Sequence, residues 1–309
     1  MAFSILLSVV VLLLIATQVD LRAVFDVLRR AVLPWLLLSL IVYLLSYVLR
    51  TVRIAWLLEP RRFSAPALFS AVGLYGVFVY LMPARTGEAT LPVLLKARMN
   101  VPLAESTAAL LVARFFDFLS VTLSLPFVLL ALRQRLPIEV VYTSIGFLVV
   151  MALAAGIYFL WLGRRSIAAD ENGAATGLWA RAVRWLRQLL VQLGRQARNG
   201  GQVRLLLISL AVWLCIYLDF YLIAGALGQW LEFAQIIVLA ALLVPLTVSP
   251  LQGVAGLGAY EAGWVLAFAI FGQPTAQGLL LAVGSHAVLV VFTLLLALLC
   301  WGMQWAWKQ

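Results

Sequence analysis

The sequence predicts an all-α, polytopic membrane protein with about six spanning helices plus two opposed re-entrant hairpins in an inverted repeat. Three observations carry this. Of 309 residues, 65% are hydrophobic and 11% charged, with a mean hydropathy of +1.08, a balance foreign to water-soluble domains. Apolar runs of bilayer-spanning length recur along the chain. Two further apolar stretches, 66–82 and 234–249, are shorter, end at Pro83 and Pro250, and lead into small-residue segments carrying Glu88 and Glu261.

The run Phe3–Val19 has no basic segment before it and no small-x-small cleavage pattern, so it reads as a retained span rather than a signal peptide. In "DLRAVFDVLRRA", Leu21, Val24, Phe25 and Leu28 recur at helical spacing opposite Arg22, Asp26, Arg29 and Arg30, which predicts a short interfacial helix. The remaining spans are 32–49, 106–132, 138–162, 205–231 and 278–305. Trp35, Trp161, Trp230, Trp301 and Trp305 near their ends suit interface anchors.

Orientation follows from basic loops. Arg50, Arg53, Arg61 and Arg62 flank only Glu59, and the Arg-rich segment 163–204 carries eight arginines against Asp170 and Glu171. Both should be cytoplasmic, where they would meet anionic lipid head groups. The net charge of +10 needs no nucleic acid to explain it. Keeping both loops on one side requires 66–98 to cross an even number of times, and its half "ARTGEATLPVLLKAR" is too polar to span. It therefore reads as a hairpin entering from the cytoplasm. By the same reasoning 234–271 enters from outside, and both termini are cytoplasmic. The span 32–49, first hairpin and span 106–132 then match, inverted, the span 205–231, second hairpin and span 278–305. Such repeats place broken helices around a midplane site, with positions 86 and 255 as buried tips.

"PARTGE" with Arg85 and Glu88, "ARFFDFLSV" with Arg114 and Asp117, and "SPLQGVAGLGAYEAG" with Glu261 resemble three signature stretches of the flippase-like family typified by the transmembrane region of lysylphosphatidylglycerol synthases. "LRTVRIAWLLEP", with Arg50 and Arg53, is similar to its basic motif, although Trp56 stands apart from the Arg-Trp dipeptide usual there. The resemblance covers essentially the entire chain. It implies handling of a membrane lipid, with members also linked to hopanoids and lipid-linked sugars. After Trp307 only Lys308 and Gln309 remain, so no aminoacyl-transferase domain is expected and the chain, read as one transmembrane domain 1–309, is not expected to be an enzyme.

Intramembrane charge costs on the order of 2.5 to 3.5 kcal/mol per residue, which favours a use for it. An arginine fork suits a phosphate, making Arg85 and Arg114 the expected head-group ligands, with Glu88, Asp117 and Glu261 balancing them or exchanging protons. The alternative is ion-pair glue, since Arg85/Glu88 and Arg114/Asp117 are i,i+3 pairs. Gly256, Gly258 and Tyr260 lie in a segment whose Ala255, Ala259 and Gly263 spacing suits close helix packing, and whose glycines would also let a phosphate approach freed N–H groups. Arg50, Arg53, Asp219 and the single histidine, His286, are second-tier candidates; a lone histidine in a span is chiefly a helix–helix hydrogen-bonding residue. Cys215 and Cys300 sit in apolar runs, so neither a disulfide nor a thiolate metal site is expected, and no cofactor is implied. A lipid-phosphate enzyme would need a nucleophile or metal cluster that the Arg-dominated loops do not supply. A non-transporting partner of a lipid-modifying enzyme stays open, because Trp179, Val183, Leu186, Leu189 and Leu193 form a stripe able to dock a protein.

Overall fold

A computed structural model describes residues 20–134, 136–158, 178–198, 201–248 and 253–306. The expected first span, 3–19, lies outside the described residues, as do 159–177 and the side chain of Arg85. The described chain is all helix, and five helices are long and apolar enough to cross a membrane. It is a multi-pass membrane protein.

Helix α1, Leu21–Arg29, is the expected amphipathic segment, begun by the Asp20 carboxylate accepting from the Arg22 N–H and ending on Arg29. The spanning helices are α2, Leu33–Leu57, α5, Leu103–Ala131, α6, Ile138–Gly156, α8, Gln202–Ala226, and α11, Thr275–Ala306. In α6 only Met151 is buried. Leu37, Ile41, Leu45 and Val48 are likewise exposed along α2. Water would not tolerate such apolar faces, whereas lipid solvates them.

Between the spans sit two helix–tip–helix units. In the first, α3, Ala65–Leu81, leads through a tight 3-10 tip, Pro83–Ala89, into α4, Thr90–Met99. Met82 is extended because Pro83 follows it, and this stops α3. In the second, α9, Phe233–Val248, is followed by a tip at Val254–Gly256 and by α10, Ala259–Ile270. At about 1.5 Å per residue α3 reaches about 25 Å and α4 about 15 Å, short of the roughly 30 Å hydrocarbon core. The two tips touch each other. Pro83 and Gly87 are buried and Ala255 half-buried, but Thr86 is exposed, so the expectation of a buried tip fails at that position.

Helices α2 and α8 pack antiparallel along their whole length. The Val32 N–H donates to the Ala226 carbonyl at 2.9 Å, Ser39 meets Asp219, Arg53 meets Ser209, and Arg204 reaches Glu59 at 3.0 Å. Helix α3 packs on α11, and α9 on α5. The Arg-rich segment contains α7, Leu178–Arg198, lying against α5. Part of its stripe is already covered: Leu189 is buried, Leu193 packs on the core, and Gln196 donates to the Leu57 carbonyl at 2.5 Å.

One expectation is corrected here. Arg50 and Arg53 are not loop residues, because α2 continues past the predicted end at 49 to Leu57. Arg53 is 4% exposed, a core residue.

Candidate functional site

Charged side chains from three elements converge where the first tip meets α2 and α5. The Arg53 guanidinium grips Asp117 with both terminal nitrogens, Nη1 to Oδ1 at 2.6 Å and Nη2 to Oδ2 at 3.3 Å, and Nη1 also donates to Ser209 Oγ of α8 at 2.9 Å. Arg114 Nη2 donates to the Tyr75 hydroxyl at 2.6 Å and to Glu88 Oε1 at 2.8 Å, while that hydroxyl donates to Glu88 Oε2 at 2.6 Å. Arg114 lies 3.5 Å from Asp117. The i,i+3 pair Arg114/Asp117 thus survives only as a long second contact. The close pairings are between elements, Arg53 with Asp117 and Arg114 with Glu88, and the structure brings these four together.

Arg50, one turn before Arg53, has a different environment. Its guanidinium sits 5.2 Å from the Tyr47 ring centroid, and it forms no ion pair or hydrogen bond among the described residues. The buried Nε atoms of Arg50, Arg53 and Arg114 are all without partners there. Arg50 and Arg114 line a cavity of about 290 Å³, together with Tyr43, Tyr47, Tyr75, Tyr80, Asp219, Ala255, Gly256 and Tyr260. Arg50, Arg53 and Arg114 against Glu88 and Asp117 make three positive groups to two negative. Asp219, also on the cavity wall, is buried and is held by the Ser39 hydroxyl of α2.

The second tip supplies another wall. Gly256 and Gly258 have φ of +80° and +87°, which glycine adopts at no steric cost, and Ala255 is also left-handed at +56°. Glu261 Oε2 accepts the Gly258 N–H at 2.7 Å, capping α10, and Oε1 meets His286 Nδ1 at 2.6 Å. Among the described residues Glu261 is therefore paired with His286, not with an arginine. Tyr260 reaches Ser285 Oγ at 2.9 Å. His286 does join helices, as a lone histidine is expected to, and the group it joins is a carboxylate.

Sequence reasoning missed the depth of Arg53, the polar partners Tyr75, Ser209 and Ser39, and the reason for the glycine in "PARTGE". The apolar run resuming at Ile54–Leu58 was the available sign that α2 continues. A Cβ on Gly87 would stand 2.3 Å from the Phe78 carbonyl oxygen, so the tip folds back against α3 only with glycine there. The partners left no sign, since each is a common residue whose role depends on which helix faces it. No group of three or more His, Cys, Asp or Glu that could hold a metal ion occurs among the described residues.

No curated protein and no solved structure matches the chain. A family match covers residues 1–297, described as the lysylphosphatidylglycerol synthase TM region. That family is membrane-associated and linked to lipid handling, its transmembrane region being a domain separate from the synthase. With most of the apolar spans, the "PARTGE" tip and the Arg114 and Asp117 pair inside the matched range, this chain belongs to the lysylphosphatidylglycerol synthase TM-region family.

Proposed function

We propose that the protein translocates or transports an anionic or aminoacylated lipid, or a lipid-linked intermediate, across a bacterial inner membrane, with the head group passing through the central cavity. The observation that carries this reading is the pair Arg50 and Arg114 on the wall of one cavity. A guanidinium fork binds phosphate oxygens in two parallel bonds, and at membrane depth those bonds are strengthened by the low dielectric. The tyrosines around the cavity offer both ring faces and hydroxyls to the rest of the head group. Arg85 completes this reading as the tip arginine, on the strength of its motif alone.

In the same proposal, 66–98 and 234–271 are opposed re-entrant hairpins of an inverted repeat, and both termini and the Arg-rich segment are cytoplasmic. The packing supports it through equivalences. Exchanging α2 with α8, α3 with α9, α4 with α10 and α5 with α11 turns the α3 on α11 contact into the α9 on α5 contact, and α4 on α5 into α10 on α11. Alternating exposure of a site between two such halves is a common transport design. On α7, Trp185 and Leu186 stay exposed beside Arg184 and Arg187, a face suited to anionic head groups. A protein partner on that face is the second reading, favoured by the same exposed pair.

The test is exchange of fluorescently tagged phosphatidylglycerol between leaflets of vesicles containing the purified protein. Faster exchange than in protein-free vesicles, lost in Arg50→Ala and Arg114→Ala, is expected. Exchange that is unchanged in both variants would remove the cavity from the pathway.

A further inference from the structure

Both ring nitrogens of His286 face oxygen. Nδ1 lies 2.6 Å from Glu261 Oε1, and Nε2 lies 2.9 Å from the Ala255 carbonyl oxygen of the second tip. His286 and Glu261 are both 5% exposed. A carbonyl only accepts, so Nε2 must carry a hydrogen. The gap between Nδ1 and Oε1 must hold one too, because a nitrogen lone pair and a carboxylate oxygen would repel at that distance. Glu261 Oε2 is already accepting the Gly258 N–H. The pair thus contains two protons and is neutral overall, whether written as imidazolium with carboxylate or as imidazole with carboxylic acid.

Removing one proton leaves the pair with a charge of −1 and a single N–H to place. On Nε2, that hydrogen satisfies Ala255 and sets Nδ1 against Glu261. On Nδ1, it satisfies Glu261 and turns the Nε2 lone pair on the Ala255 carbonyl. The bond to the carboxylate is the stronger, being charge-assisted, so the contact given up is the one to the tip. Ala255 is left-handed at φ +56°, where an L-residue seldom rests. The hydrogen bond to its carbonyl ties that turn to α11.

We propose that Glu261 and His286 form a proton-binding site that latches the second tip, so that loss of one proton to water releases the cavity wall formed by Ala255 and Gly256. The latch is a property of these residues alone; its use in coupling a proton to transport rests on the function proposed above. The titratable groups facing the pair are Tyr80 of α3, whose ring centroid is 5.9 Å from that of His286, and Tyr260 of α10, at 4.8 Å. Asp219 of α8 lies on the same cavity wall beyond Tyr260. No arginine or lysine is bonded to the pair among the described residues.

Because the chain has one histidine, protein labelled with ¹⁵N-histidine and placed in lipid nanodiscs gives one imidazole to follow by NMR from about pH 5 to about pH 9, the range where histidine can switch. A bimane fluorophore on Val254→Cys, with Cys215 and Cys300 replaced by Ala, reports the tip. The expected result is a single-step change at the ring, from two N–H groups to one or from the Nε2–H to the Nδ1–H tautomer, with the bimane emission changing at the same midpoint. Glu261→Gln should abolish both changes: its amide oxygen accepts from Gly258, its N–H donates to Nδ1, and the neutral Nε2–H ring keeps Ala255 with no added proton. A ring whose protonation and tautomer are both constant across the range would overturn the proposal. So would a titration that leaves the bimane unmoved, or a Glu261→Gln protein that titrates like the wild type. None of these readouts involves lipid movement, so failure of the transport reading leaves them intact.

Discussion

Arg53 and Asp117, 64 residues apart in sequence, are joined by two hydrogen bonds at 2.6 and 3.3 Å inside the contact between α2 and α5. Both are buried, and Ser209 of α8 accepts a third bond from the same guanidinium. Three spans are thereby fixed around one cation. Neither residue lines the 290 Å³ cavity, whereas Arg50 and Arg114 do. The arginines divide by position into one that holds the helices together and two that face open space.

Removing only the buried cation should therefore be a folding defect. Arg53→Leu leaves Asp117 with the long Arg114 contact alone, and breaking a buried pair costs about 3 to 5 kcal/mol. The double variant Arg53→Leu with Asp117→Leu removes both charges and should recover most of that loss. Unfolding of the solubilised protein by SDS titration checks both; equal instability in the single and double variants would contradict the assignment.

Arg50 should behave in the opposite way. It is held by a ring contact worth about 2 kcal/mol when desolvated, so Arg50→Gln should unfold within about 2 kcal/mol of the wild type. Loss of a charge-assisted bond to a phosphate, about 1.5 to 3 kcal/mol, should cost roughly tenfold to a hundredfold in lipid exchange. The measurement is unfolding and exchange on the same preparation.

The glycines of the two tips are needed for different reasons, and one substitution separates them. At Gly87 a side chain meets backbone at 2.3 Å, and backbone cannot swing aside. At Gly256 nothing lies within 4 Å of a Cβ, but φ is +80°. Asparagine tolerates the left-handed region better than other L-residues. Gly256→Asn should accordingly be better folded than Gly256→Ala, which bears a cost of about 1 to 2 kcal/mol, while Gly87→Asn and Gly87→Ala should both fold poorly. Thermal stability of the four variants in detergent decides it.

The elements were legible because lipid imposes length and apolarity: α5, α8 and α11 lie within a few residues of their predicted bounds, and α1 shows its charge pattern plainly. Charge misled at α2. Arg50 and Arg53 end an apolar run, so they read as a loop, yet the helix carries them inward because Asp117 and Ser209 wait on other helices. Pairing is the part that local sequence does not encode. Arg114 has Asp117 three residues away but bonds more closely to Glu88, because the tip folds toward α5. Glu261 found a histidine 25 residues on for the same reason.

The direction in which the two helix–tip–helix units enter the bilayer is the remaining prediction, and it governs how a head group could reach the cavity. Ser64 precedes α3 and Gln273 follows α10, so opposed hairpins place these two positions on opposite faces of the membrane. Cysteine at each, in a background lacking Cys215 and Cys300, should react with an impermeant maleimide from one side only: position 64 from the cytoplasmic side and position 273 from the outer side. Cysteine at 255, half-buried at the second tip, should react slowly from both. Thr86 is exposed, so a cysteine there tests access to the first tip: opposed hairpins predict slower labelling at 86 than at 64 or 273, since water must reach it through the protein. Rapid labelling at 86 from the outer side would mean that α3 spans the bilayer, that "PARTGE" is an outer loop, and that Glu88 and Arg114 meet at the membrane surface rather than within it.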